Sequence, residues 1–303
     1  MKKLFPVLLL LFFHAANGQR ISARVIDESN NKPLSYAIIL FHHQQKVTYT
    51  NTDGYFTLPK DSLPNNDTII IQYIGYQQMS VVLNELKDGA VYKLNPQTLN
   101  LQPITISSCR NTEEYVLNKT IGRIRQYIGP GPETRLVIIA RYNNVTGVRG
   151  YISKVSILID EKAPNLQVPV RLHWYKWNVD THMPGEELTD TSILVYPYQK
   201  GWNDFDLPPY TVPALKDWIV FGLEFIYTPA YIQHYDSLKT QQEKIKWLSD
   251  MQNRWSLSMQ YVRDADESGF YIINNGNVTP YAKKYDRFFI RPALKFNIKI
   301  CRD

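Results

Sequence analysis

Apolar and polar residues alternate in short runs through most of this chain, and turn residues break the runs before they reach helical length. The run ISARVID alternates, NNKPL supplies a turn, and SYAIILFH and KVTYT follow as β-rich stretches. After NTDGYFTL come the polar loop PKDSLPNNDT, the strongly apolar TIIIQYIGY, then MSVVLNE and AVYKLNP. Period-two alternation bounded by Gly, Pro, Asn and Asp is the signature of strands. Seven short strands in residues 21–107 predict a small all-β sandwich.

Beyond residue 107 the character changes. NTEEYVLNKTIGRIRQYI predicts a connector followed by a short helix or strand, and IGPGPETR is a Pro/Gly break. From Leu136 onward RLVIIARYNN, KVSILIDE, PVRLHWYKWNVD, SILVYPY, WNDFDL and WIVFGLEFIY are successive strand candidates, and RFFIRPALKFNIKIC supplies more near the end. They predict a second, larger sandwich, with a jelly roll as the leading topology. One segment departs: residues 236–254 are rich in helix formers, with Leu238, Ile245, Leu248 and Met251 as the apolar positions and Asp236 or Ser237 as N-cap. The expected organisation is a signal peptide over 1–18, a sandwich over 19–107, a connector over 108–135, and a C-terminal sandwich over 136–303 with a helical insertion about 236–254.

The first residues and the composition bear on compartment. MKKLFPVLLLLFFHAANGQR runs from two lysines through an apolar stretch to small residues, the layout of a secretory signal cleaved after Gly18. The apolar stretch is short of the roughly 20 residues needed to cross a bilayer, so an exported, water-soluble chain without a membrane span is expected. Losing Lys2 and Lys3 takes the net charge from +6 to +4. That excess is spread along the chain, with none of the basic blocks of a nucleic-acid binder. The two cysteines, Cys109 and Cys301, could bridge in an exported compartment or stand as separate thiols. Aromatics make up 13% of residues, a share that leans towards strands and half-buried surfaces.

The chemistry-bearing residues form no recognised catalytic pattern. In NTDGYFTL, Asp53 and Gly54 fit hairpin-turn chemistry, in which aspartate accepts backbone hydrogen bonds and glycine takes positive φ. A calcium loop would need more alternating oxygen ligands. His42 and His43 are expected on opposite faces of a strand, unable to share a metal. The chain has no HExxH, HxH, GxSxG or P-loop spacing. The pairs Glu113-Glu114 and Glu186-Glu187, and the group Asp264, Asp266 and Glu267, are expected in solvated loops, although dispersed carboxylates could in principle serve a hydrolase. Trp174, Tyr175, Trp177, Trp202 and Trp218 remain. They are either sandwich core or an aromatic platform for sugar rings, and since three aromatics within four residues cannot all face one core, some of the first three are expected on a surface.

Residues 21–107 also carry a family resemblance, in ARVID with NNKPLSYAIILFH, TNTDGYFTL, IIIQYIGYQ, YKLNP and LQPITIS. These resemble the carboxypeptidase-regulatory-like domain, a transthyretin-like (prealbumin-like) β-sandwich found at the start of many exported proteins of Bacteroidetes, TonB-dependent receptors among them. Asp53-Gly54-Tyr55-Phe56 and Tyr73-Ile74-Gly75-Tyr76 carry the most specific part. The NNKPL turn departs from the family's Gly-containing form. Residues 130–300 are similar, less sharply, to a β-sandwich segment of other Bacteroidetes proteins of unassigned function. The resemblance implies a non-catalytic accessory sandwich and a periplasmic, outer-membrane-peripheral or extracellular location. The expected function is a non-enzymatic, exported envelope module for binding or assembly, with no cofactor or metal and with an envelope protein or polysaccharide as partner. A glycan-binding accessory protein and a hydrolase are the alternatives.

Overall fold

The computed structural model describes residues 20–43, 46–59, 67–97, 111–119, 124–128, 135–144, 150–159, 169–208, 212–215, 217–252, 257–262, 270–274, 277–280 and 289–302. The proposed signal peptide and Cys109 lie outside them.

All seven strands expected before residue 107 are present: β1 (Arg20–Asp27), β2 (Ile38–Phe41), β3 (Val47–Tyr49), β4 (Tyr55–Pro59), β5 (Thr68–Gln72), β6 (Met79–Val82) and β7 (Ala90–Leu94). They form two sheets, ordered β4-β1-β7 and β3-β2-β5-β6. Ala23, Val25, Ile39, Phe56, Ile69 and Ile71 fill the space between them. Phe56 points into this core while its neighbour Tyr55 is exposed, as alternation along a strand requires.

Two turns behave differently from expectation. NTDG does not close a hairpin, because β3 pairs with β2 and β4 with β1, so it is the corner where the chain crosses between sheets. The side chain holding that corner is Asn51, whose Oδ1 accepts from Asp53 N at 3.0 Å and Tyr55 N at 2.9 Å. Gly54 has φ +80°, and a Cβ there would meet the Val25 carbonyl oxygen at 2.5 Å. In NNKPL, Asn31 takes φ 56°, a left-handed conformation that asparagine tolerates better than most non-glycine residues. That is how the turn does without a glycine. Asp27 pins it, accepting from Ser29, Asn30 and, at 2.8 Å, the Tyr76 hydroxyl.

The second unit opens with β8 (Asn111–Leu117) and β9 (Ile124–Ile128), so the segment expected as a connector is built into a sheet. Next come β10 (Leu136–Asn143), β11 (Gly150–Ile159), β12 (Val170–Asn178), β13 (Met183–Glu187), β14 (Ile193–Val195), β15 (Gly201–Asp206), β16 (Pro213–Ala214) and β17 (Trp218–Phe225). Two helices, α1 (Pro229–Ser237) and α2 (Gln241–Gln252), precede β18 (Leu257–Val262), β19 (Phe270–Asn274), β20 (Asn277–Pro280), β21 (Phe289–Pro292) and β22 (Leu294–Arg302). One sheet runs β13-β12-β17-β10-β19-β20 with β14 on β12; the other runs β21-β18-β11-β22-β8 with β15 and β16 on β11 and β9 on β18. Between them lies a core that includes Tyr142, Val155, Trp174, Phe221, Leu223, Phe296 and Ile298. The all-β, two-sandwich expectation describes this architecture.

The helical insertion starts earlier than its sequence pattern suggests, and neither Asp236 nor Ser237 caps it. Thr228 caps α1 with Pro229 just inside, a favoured first-turn arrangement. Thr240 and Glu243 form a reciprocal capping box for α2, with Glu243 N to Thr240 Oγ1 at 3.1 Å and Thr240 N to Glu243 Oε2 at 2.9 Å. The helices meet through Trp247, which packs on Tyr231, His234 and Tyr235. Ile245, expected as an apolar anchor, is exposed.

Candidate functional site

The central strands of the seven-stranded sheet are buried on both faces. Along β12, Val170, Leu172 and Trp174 enter the shared core, which leaves Arg171, His173, Tyr175 and Trp177 on the opposite face. The register Arg171↔Glu224 and His173↔Gly222 puts Arg171 directly across from Glu224 of β17 on that face. There the first sandwich closes over it. Tyr36, Ile38, Val47 and Tyr49, from the face of β2 and β3 turned away from their own core, pack with Ile226, Leu40 and Leu194. The Tyr73-Gly75 signature completes the junction: the Arg171 guanidinium lies 5.8 Å from the Tyr73 ring centroid. Gly75, at φ +80°, sits so close to Asp190 that a Cβ would fall 1.9 Å from its carbonyl oxygen.

Sealed in this junction is a charged cluster centred on Glu224, whose side chain is fully buried. Its carboxylate takes Arg135 Nε at 2.8 Å, Arg171 Nη1 at 3.1 Å, His173 Nε2 at 3.0 Å and the Tyr49 hydroxyl at 3.2 Å. Four donors saturate the roughly four lone-pair sites of a carboxylate. Arg171 also donates to Ser192 Oγ and to the Tyr36 carbonyl across the junction. His173 Nδ1 meets Glu187 Oε1 at 2.7 Å, and the ring stacks on Tyr175 at 5.8 Å and 7°. Glu187 is thus an ion-pair partner and not the solvated loop residue its acidic neighbour suggests.

Burial alone would raise the Glu224 pKa, but Arg135, Arg171 and His173 overcome it and hold the carboxyl well below its ordinary range. Burial works against the His173 imidazolium, yet Glu187 and Glu224 outweigh it and raise the pKa above 6.5. With a carboxylate on each nitrogen, both act as donors and no lone pair remains to take a proton from a substrate. The Tyr49 phenol is pushed well above 10, by burial first and then by Glu224. The arrangement is a clasp: three cations and two carboxylates from the seven-stranded sheet and the residue that leads into its β10, closed by a tyrosine and a carbonyl from the other sandwich.

The five aromatics weighed as either core or platform are dispersed. Trp174 is in the core, edge-on to Phe221 at 4.9 Å. Tyr175 and Trp177 are also buried, contrary to the expectation that some of the first three reach a surface. The physical reason is that the seven-stranded sheet curls until β13 contacts β20, and its inner curve holds Val137, Ile139, Tyr175, Trp177, Val220 and Tyr271. Tyr271 donates across the curl to the His182 carbonyl at 3.1 Å. Inside it the Arg141 guanidinium lies between Trp177, at 4.3 Å, and half-buried Trp218, at 4.1 Å, a cation–π sandwich. Trp202 is on the other sheet, with Lys295 Nζ 4.0 Å over its ring.

Sequence reasoning passed over a different aromatic group. Tyr196 and Tyr198 are exposed, and Tyr198 meets Phe205 edge-on at 6.2 Å. Buried Asn203 fixes this β14–β15 turn: its Oδ1 accepts from Tyr198 N and Gln199 N, and its Nδ2 donates to Gln199 O and Gly201 O.

Of the remaining candidates, Glu113 and Glu114 are exposed on β8 and Glu114 accepts from Asn297; Asp264, Asp266 and Glu267 lie outside the described residues. Cys301 stands on β22 opposite Thr112 of β8. His42 and His43 occupy the β2–β3 turn and not a strand, with ring centroids 5.0 Å apart. No helix among the described residues is long and apolar enough to cross a membrane.

No curated protein matches the chain. Solved structures similar to it include a clostridial cysteine protease, Cwp84, after propeptide cleavage, at 9% identity and TM-score 0.34 over 87% of this chain and 64% of that one. The cysteine protease and lectin-like domains of Cwp84, a surface layer associated protein of Clostridium difficile, match at 8% identity and TM-score 0.32, over 87% and 58%. The chain therefore spans less than two thirds of the length of either, and overlap at such scores carries no argument about activity. Residues 21–106 match the family model described as the CarboxypepD_reg-like domain, and the seven strands in two packed sheets, apart from Arg20 at their start, fall within that matched segment.

Proposed function

We propose that the mature chain is an exported, non-enzymatic module of the cell envelope that binds or assembles with other components as one stiff two-sandwich body. The observation behind this reading is the fate of the acid–base groups. The best-connected glutamate and histidine among the described residues are fully buried, Glu224 saturated by two arginines, His173 and Tyr49, and His173 by Glu224 and Glu187. Groups so placed hold two domains together, whereas a catalyst needs a group within reach of substrate. In this reading the CarboxypepD_reg-like domain is a fixed base and its signature loop faces inward to the second sandwich. Incubating the purified mature chain with panels of peptide, ester and glycoside substrates tests the proposal. No turnover is expected from wild type, and turnover that Glu224→Gln abolishes would overturn it.

A second reading, a glycan-binding accessory protein, draws support from the Asn203-pinned turn. A rigid turn offering exposed tyrosines beside Trp202 suits stacking on sugar faces at low entropic cost. Affinity electrophoresis through polysaccharide gels separates the two. Retardation lost in Tyr198→Ala and Trp202→Ala favours glycan binding, and unretarded migration leaves assembly with a protein ahead.

A further inference from the structure

The turn between β2 and β3 brings together two imidazoles and a buried carboxylate that the domain-clasping role does not use. Both histidine backbones are tied to the start of β5: His42 N donates to Thr68 O at 2.9 Å, and His43 N to Asp67 Oδ1 at 3.1 Å. The same Oδ1 lies 2.8 Å from His43 Nδ1. Asp67 is 2% exposed on its side chain and His43 68% exposed. A carboxylate can only accept, so Nδ1 carries the proton and the Nε2 lone pair is left available. This is the carboxylate–histidine arrangement that orients metal-ligating imidazoles and strengthens them as donors. The His42 ring stands edge-on to His43, at 5.0 Å and 70° between planes. No Lys or Arg among the described residues pairs with Asp67; its Oδ1 also accepts from Thr68 N at 2.7 Å, and its Oδ2 has no hydrogen-bond partner among them.

From this geometry we propose that His42 and His43 form a surface site for a divalent transition-metal ion, with Asp67 positioning His43 and water completing the coordination. Imidazole donors with open positions suit Cu(II), Ni(II) or Zn(II), and do not suit Ca(II) or Mg(II), which take oxygen ligands. The site lies at a turn tip of the first sandwich, away from the buried clasp, and stands whether or not the assembly reading holds.

The test uses untagged mature protein titrated with Cu(II), read by calorimetry and by electron paramagnetic resonance for imidazole nitrogen. One bound equivalent is expected, lost in His42→Ala/His43→Ala and weakened about 10–100-fold in Asp67→Asn, the range for removing an outer-shell partner. His182→Ala/His234→Ala should leave binding unchanged. In wild type, Zn(II) should shift the His43 Nε2 resonance, which reads the same site without any substitution. Absence of saturable binding, or binding retained in His42→Ala/His43→Ala, would overturn the proposal.

Discussion

Replacing Glu224 with glutamine removes one negative charge from beneath two guanidiniums and an imidazolium while keeping side-chain size. Arg171 and Glu224 are both fully buried, and Arg135 is largely so. Three donors that shared a carboxylate would then face an amide whose NH2 group repels them. Breaking a buried ion pair by removing one partner costs about 3–5 kcal/mol. At about 2–4 °C per kcal/mol for a unit of 150–250 residues, the melting temperature should fall by roughly 6–20 °C. Differential scanning calorimetry measures it directly and also shows whether the two sandwiches, which melt together in wild type on this account, separate into two transitions. A fall below about 2 °C, equivalent to under ~1 kcal/mol, would refute the idea that this cluster fastens the domains. The clasp also predicts a rescue, because apolar replacement of a whole buried pair is often neutral. Arg171→Met/Glu224→Leu should be more stable than Glu224→Gln.

Further outcomes follow from the same geometry. Gly75→Ala should destabilise by clearly more than Gly89→Ala: both sites have positive φ, costing about 1–2 kcal/mol for a residue with Cβ, but only Gly75 faces the Asp190 carbonyl, while Gly89 faces open space; urea midpoints of the two variants give the comparison. Stability should also depend on pH with a defined sign. The contribution of His173, whose folded pKa is raised, is complete below about 6.5 and lost as pH rises through the folded value; that of Glu224, whose folded pKa is depressed, is complete above about 4.5 and lost as pH falls through its folded value. Melting temperature should therefore peak between about pH 4.5 and 6.5, and His173→Gln should flatten the alkaline side. Thr240→Ala should remove the α2 capping box and reduce the far-ultraviolet helical signal, with little change in the β contribution.

The seven strands of the first sandwich and the β character of the second were legible because alternation and turn residues repeat faithfully along them. The junction was legible only in part. SYAIILFH is an almost continuous apolar run, and a strand that does not alternate is one buried on both faces; Ile38 and Ile39 are both buried, one towards each side. The clasp had a signal too. Arg171, His173 and Glu224 interrupt apolar runs, VRLHW and VFGLEF, where a charge has to find a partner. What sequence could not supply was the partner, since Tyr49 and Glu224 are 175 residues apart. The buried Trp177 was misplaced for a similar reason: periodicity says which face a residue takes, but curling of the sheet decides whether that face meets water. Helix α1 was overlooked because its tyrosines resemble strand residues, although Thr228-Pro229 marked its start.

The central claim is that the two sandwiches form one body fastened through Glu224, and residual dipolar couplings measure that most directly. Amides of β1–β7 and of β10–β17 in the weakly aligned protein should fit a single alignment tensor. In Glu224→Gln the two sets should require different tensors. Two tensors already in wild type, or one tensor in both proteins, would contradict the account.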